Sequence, residues 1–146
     1  MKDIRKAVNE LTEKYDCCDV FELCEKMGIT VLEKELPKSI NGFTVTMEGM
    51  PFIVLKLSLS DEEKRVTAAH ELGHIVLHSS TNTVALSVNT SFCINKYERE
   101  ADCFAAHLLL ASELSELDGM ESITSETVSK LTHIPRETIE NAFFGE

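Results

Sequence analysis

The feature that most constrains this chain of 146 residues is the pentad His70-Glu71-Leu72-Gly73-His74, set among apolar neighbours Val66, Ala69, Ile75, Val76 and Leu77. Ser60-x-x-Glu63 just ahead of it is a capping-box pattern, so the spacing predicts a helix over 61–78. Residues four apart on a helix lie one turn apart on the same face. The imidazoles of His70 and His74 can therefore reach one cation, and Glu71 lies beside it, placed to act as a base without ligating. A mostly buried helix carrying three such groups is costly unless each finds a partner, and a metal ion supplies one. The pattern is the one zinc hydrolases use: two nitrogen ligands and a carboxylate base. The plain alternative is a structural helix whose histidines are satisfied by ordinary hydrogen bonds.

A catalytic zinc usually takes three protein ligands. His78 extends the series to His-x-x-x-His-x-x-x-His. Two turns on from His70, however, it has rotated by about 80° and moved about 12 Å along the axis. It reads as a structural or supporting residue near a helix C-terminus, where the dipole favours it. The segment Tyr97-Glu98-Arg99-Glu100-Ala101-Asp102 offers better donors. Glu98 and Asp102 are four apart and share a helical face with Ala105 and Leu109, whereas Glu100 aligns with Lys96, Cys103 and His107 on a face that reads as solvated. Glu98 is thus the expected third ligand and Glu100 an expected surface charge. Asp102 is expected to accept the far N–H of a ligating histidine, His70 in the first instance, fixing its tautomer. Tyr97 and His107 read as core and surface residues, and no second oxyanion donor can be placed.

The remaining pattern predicts an α+β fold. Apolar positions Ile4, Ala7, Val8 and Leu11 have helical spacing within 3–15. A second short helix over 19–27 has Asp19 as N-cap and Gly28 as its stop. Segments 29–32, 43–47 and 52–57 are β-branched and aromatic, separated by Asn41-Gly42 and Gly49-Met50-Pro51, and read as a small antiparallel sheet. Residues 79–93 read as a loop with a strand near 84–88. A strong helix is expected over 95–110, with short helices near 126–130 and 135–143. One domain is expected: N-terminal helices over 1–28, sheet over 29–57, the metal-binding helices over 58–111 and a helical appendage over 112–146. The sheet would pack against the His70 helix.

Composition narrows the function classes. With 25 acidic and 14 basic residues the net charge is −11, which disfavours nucleic acid and anionic membrane surfaces as partners. The start of the chain lacks the apolar stretch of a signal peptide, and the longest nearly apolar run, 103–111, is too short to span a bilayer. A cytoplasmic protein is expected. Cys17, Cys18, Cys24, Cys93 and Cys103 form no Cys-x-x-Cys pair and read as reduced thiols. The last two helices superficially resemble a helix-turn-helix, but Arg136-Glu137-Thr138-Ile139-Glu140-Asn141 is too acidic to read DNA; packing or partner docking is expected there.

Together, Thr67-Ala68-Ala69-His70-Glu71-Leu72-Gly73-His74-Ile75-Val76-Leu77-His78 and Glu98-x-x-Ala101-Asp102-x-Phe104-Ala105-Ala106-x-Leu108-Leu109 resemble the ImmA/IrrE family of metallopeptidases. The likeness is clear over 58–111, and the second block discriminates more than the first. The resemblance implies a cytosolic, gluzincin-like zinc protease fold that cleaves a repressor carrying a helix-turn-helix domain, in control of a mobile element or a stress response. It places His70, His74 and Glu98 at the metal-ligand positions and Glu71 at that of the general base. The family often closes the second block with Met-Pro, where this chain has Leu110-Ala111. Zinc is the expected metal, with manganese the lesser alternative for such donors. A substrate strand is expected to pair with the edge of 52–57 or of 43–47. The competing functional class is a non-catalytic module that binds a repressor and uses its metal for structure only.

Overall fold

The computed structural model describes residues 3–78, 91–116, 129–130, 136 and 139–140. The first two helices, α1 (Ile4–Tyr15) and α2 (Val20–Lys26), begin at aspartate caps. Asp3 accepts from the Lys6 N–H and Asp19 from the Glu22 N–H, each satisfying a donor that the first helical turn leaves unpaired. Gly28, at φ +78°, turns the chain out of α2, and the Ile29 N–H closes back on the Cys24 carbonyl at 2.8 Å.

Three strands follow: β1 (Thr30–Lys34), β2 (Gly42–Met47) and β3 (Met50–Lys56), in the spatial order β1-β3-β2. The α+β class holds, but the sheet is mixed. β2 and β3 form an antiparallel hairpin, while β1 runs parallel to β3. The hairpin forces β2 and β3 to oppose each other, and β3 then inserts between β1 and β2, so β1 meets it in the same direction. The hairpin tip is Glu48-Gly49, at φ +52° and +79°, two left-handed residues in succession as a two-residue turn with the right twist requires. Met50 and Pro51, expected as turn residues, are already in β3. Pro51 is tolerated because the pairing with β1 starts only at Phe52.

Ile53 and Leu55 of β3 are fully buried on the face turned to the helices. Lying across that face is α3 (Asp61–His78), opened by the reciprocal capping box: the Glu63 N–H donates to Ser60 Oγ, and the Ser60 N–H to Glu63 Oε1. On α3's other side lies α4 (Ser91–Glu116), which starts four residues before the expected 95 and runs past 110. Further support for α3 comes from α2, while α1 packs on α4. The shared core includes Val8, Leu23, Ile53, Leu72, Phe104, Leu108 and Ile139. The last of these comes from the C-terminal stretch, where 129–130, 136 and 139–140 are helical. The strand near 84–88 and the rest of the two C-terminal helices lie outside the described residues. Cys17, Cys18, Cys24 and Cys103 form no disulfide among the described residues. Among the described residues no helix is long and apolar enough to cross a membrane.

Gly73 sets the spacing of the two central helices. A Cβ there would stand 3.1 Å from Phe104 Cβ and 3.2 Å from Ala101 Cα, atoms anchored to the α4 backbone. Gly73→Val is therefore expected to lower stability by about 1–3 kcal/mol, the usual cost of overpacking, read as the midpoint of urea unfolding. An unchanged midpoint would show that α4 can move aside freely.

Candidate metal centre

The site is built where α3 faces α4. From His70 to His78, contacts step back along α4 from Asp102 through Glu98 to Tyr97, so the two helices run antiparallel. His70 and His74, one turn apart, have ring centroids 4.8 Å apart at 85°. Their Nε2 atoms converge on one carboxylate: His70 Nε2 lies 2.9 Å from Glu98 Oε2, and His74 Nε2 lies 3.1 Å from Glu98 Oε1. Glu71 is buried at 8% exposure. One potential ligand atom from each of His70, Glu71 and His74 falls within a cluster no wider than 4.8 Å. The structure thus brings His70, Glu71, His74 and Glu98 together.

Asp102 stands behind His70, its Oδ1 2.8 Å from Nδ1. A carboxylate only accepts, so this contact places an imidazole proton on Nδ1 and leaves Nε2 as the atom that meets Glu98 or a cation. Two imidazole Nε2 atoms and a carboxylate meet there at about hydrogen-bond distance, an arrangement that requires positive charge between them, supplied by protons on the rings or by a bound cation. The residues therefore fit a divalent cation: borderline nitrogen donors and a hard carboxylate, the donor set that suits zinc and, with less preference, manganese.

The electrostatics carry the same demand. Burial alone would push the His70 imidazole down, but the Asp102 and Glu98 carboxylates overturn this and hold it up at about 10. Glu98 is held well below the usual carboxylate range by its contacts with His70 and then His74, against the effect of partial burial. Glu71 behaves oppositely. Its burial raises it, and the nearby His70 and His74 only partly offset that.

Glu100 corrects the sequence reading. It is not on a solvated face: it is 5% exposed, and its Oε1 lies 3.2 Å from Nε2 of His78, itself 2% exposed. The wheel put Glu98 and Glu100 on different faces correctly but could not show that both faces are covered or engaged, because α4 packs on α3 and on α1. His78 keeps away from the Glu98 cluster, as its rotation on the helix requires. Its Nδ1 instead lies 3.1 Å from Nδ1 of His74. The sequence signal for this pair was present in His78, four residues beyond His74, and in Glu100, between two acids already singled out. The Tyr97 and His78 rings pack edge to face, their centroids 4.5 Å apart at 72°.

A family model described as the IrrE N-terminal-like domain matches residues 24–143. The chain belongs to the ImmA/IrrE family. It is 31% identical over 134 residues to the Uncharacterized immunity region protein 2 of Bacillus phage phi105, covering 92% of this chain and 85% of that protein. It is 23% identical over 136 residues to Metallopeptidase ImmA of Bacillus subtilis (strain 168), covering 92% and 80%. Family membership makes this a metallopeptidase-like domain, and the α3–α4 cluster holds its candidate metal-binding residues.

In metal-free protein the His70–Glu98 pair should make stability depend on pH. The His70 value is 6.5 when unconstrained and about 10 in the fold, so its contribution is fully present below about 6.5 and is lost as pH rises toward about 10. Glu98 is shifted down, so its contribution is present above the ordinary carboxylate range and is lost as pH falls through it. Urea midpoints of chelator-treated protein should therefore fall between about pH 6 and about pH 9, and His70→Ala should flatten that slope. A wild-type midpoint that does not move over this interval would refute the assignment.

Proposed function

We propose that this protein is a zinc-dependent endopeptidase that cleaves a DNA-binding repressor with a helix-turn-helix domain. The observation that carries the reading is the convergence of His70 Nε2, His74 Nε2 and the Glu98 carboxylate beside a buried Glu71. His70, His74 and Glu98 are the proposed metal ligands. Zinc would supply Lewis acidity, bringing the pKa of a water toward neutrality and polarising the scissile carbonyl.

Glu71 is the proposed general base. It takes a proton from the attacking water and returns it to the leaving amine. Burial holds its carboxyl above the usual range, which brings its proton affinity closer to the working pH than that of an exposed glutamate. Asp102 holds the His70 ring with Nδ1–H directed away from the metal position. Manganese is the lesser alternative to zinc on the same donors.

The family and the immunity-region name of the phage relative support this substrate class. The chain's −11 charge suits a basic, DNA-binding partner protein better than DNA or an anionic membrane, and a cytoplasmic setting fits such a partner. β3 is central, with both edges paired, so of the two edges first considered that of β2 is, among the described residues, the one left for a substrate strand.

Purified protein is expected to carry about one zinc per chain, and His70→Ala to carry none, by elemental analysis. Glu71→Gln should keep its zinc yet lose cleavage of its helix-turn-helix repressor substrate by at least about 100-fold. Repressor control that survives Glu71→Gln unchanged would favour the non-catalytic binding module instead.

A further inference from the structure

The two proposed histidine ligands are supported differently. His70 rests directly on a carboxylate, Asp102. Behind His74 there is a second imidazole, and only behind that a carboxylate: His74 Nδ1 to His78 Nδ1 is 3.1 Å, and His78 Nε2 to Glu100 Oε1 is 3.2 Å. The His78 side chain is fully buried and that of Glu100 is 6% exposed. Neither belongs to the metal cluster, and burying an ionisable pair is expensive unless it is fully hydrogen-bonded. Among the described residues no buried side-chain nitrogen or oxygen lacks a partner.

The chemistry of the chain fixes its direction. Glu100, as a carboxylate, offers only acceptors, so His78 donates through Nε2–H. A neutral imidazole has one donor and one acceptor, so His78 Nδ1 is then an acceptor. It receives Nδ1–H from His74, and the His74 Nε2 lone pair is left facing Glu98 at 3.1 Å. With Glu100 ionised, reversing either bond of the relay would put two donors or two acceptors against each other. The His74 Nε2 lone pair stands favourably against the Glu98 carboxylate when a cation lies between them.

Resting on the metal reading above, we infer that His78 and Glu100 are positioning residues, a buried relay that sets the tautomer and ring orientation of His74 as Asp102 does directly for His70. Position 78 can do this because it is one turn beyond His74 on α3, so its ring lies behind the ligand and not beside it. The Tyr97 ring, its centroid 4.5 Å from that of His78 at 72°, packs against it.

The test is zinc affinity of the full chain, measured by competition with a chromophoric chelator, with folding checked by circular dichroism at the same temperature. His78→Phe and Glu100→Leu should each weaken zinc binding by about 10-fold or more. In the His78→Phe background, Glu100→Leu should add less than about twofold, because its effect travels through His78. Glu100→Gln, whose amide oxygen still accepts, should restore most of the affinity. A merely structural role would lower the thermal midpoint of metal-free protein and leave the affinity of the folded variants unchanged. Folded variants that bind zinc as wild type does, or losses that add fully in the double variant, would overturn the relay alone. Wild-type protein that takes up no zinc would overturn the metal reading, and the relay with it.

Discussion

At Gly73 the backbones of α3 and α4 come so close that even a Cβ would press on Ala101 and Phe104. Everything that resembles a site in this protein is suspended from that contact. Asp102 and Glu98 reach His70 and His74 only because their helix can lie directly against α3. Leu72, Phe104, Leu108 and Leu109 are fully buried in the core that holds this packing together. Close packing tolerates little displacement, so the same apolar surface that stabilises the fold also fixes where the nitrogen and oxygen donors stand. Rigid helices hold such constellations more accurately than loops do.

Charge is distributed around this contact by environment more than by composition. Glu71, Glu98, Glu100 and Asp102 all lie against the histidines of α3, yet their surroundings separate them. Glu98 is half exposed and faces two imidazoles, and it is held ionised. Glu71 is buried and is raised toward protonation. A pair of carboxylates pushed in opposite directions is what a ligand and a base at one centre need. Asp102 and Glu100 instead act on ring nitrogens facing away from the cluster.

Much of this was legible in the chain because it depends on local rules. The caps at Asp19 and Ser60 answer to unpaired N–H groups of the first turn, and those groups exist whatever the rest of the molecule does. His70, His74 and their neighbour Glu71 follow from helical period alone. The pairing of Asp102 with His70 also follows, once two helices are assumed to face each other. What failed depended on tertiary context. Glu100 looked solvated because a helical wheel records which residues share a face, not how many faces are covered. The parallel β1–β3 pairing was hidden because strand patterns carry no direction. The two-residue turn was misplaced because Pro51 looks like a turn former until its place beyond the start of β1 is known.

The sheet bears on the site through a second close approach. A Cβ at Gly42 would stand 2.8 Å from Thr67 Cγ2, so the first residue of β2 lies directly under α3, one turn before His70. Among the described residues β2 is, with β1, one of the two outer strands in the order β1-β3-β2. An extended peptide pairing with it would therefore inherit its position relative to His70 from the packing of Gly42 on Thr67. Strand addition takes affinity from main-chain hydrogen bonds, which do not depend on substrate sequence. On this scaffold, selectivity then has to come from side chains flanking that edge and from the partner's own surface, with the two glycines, 42 and 73, holding edge and donors in one frame.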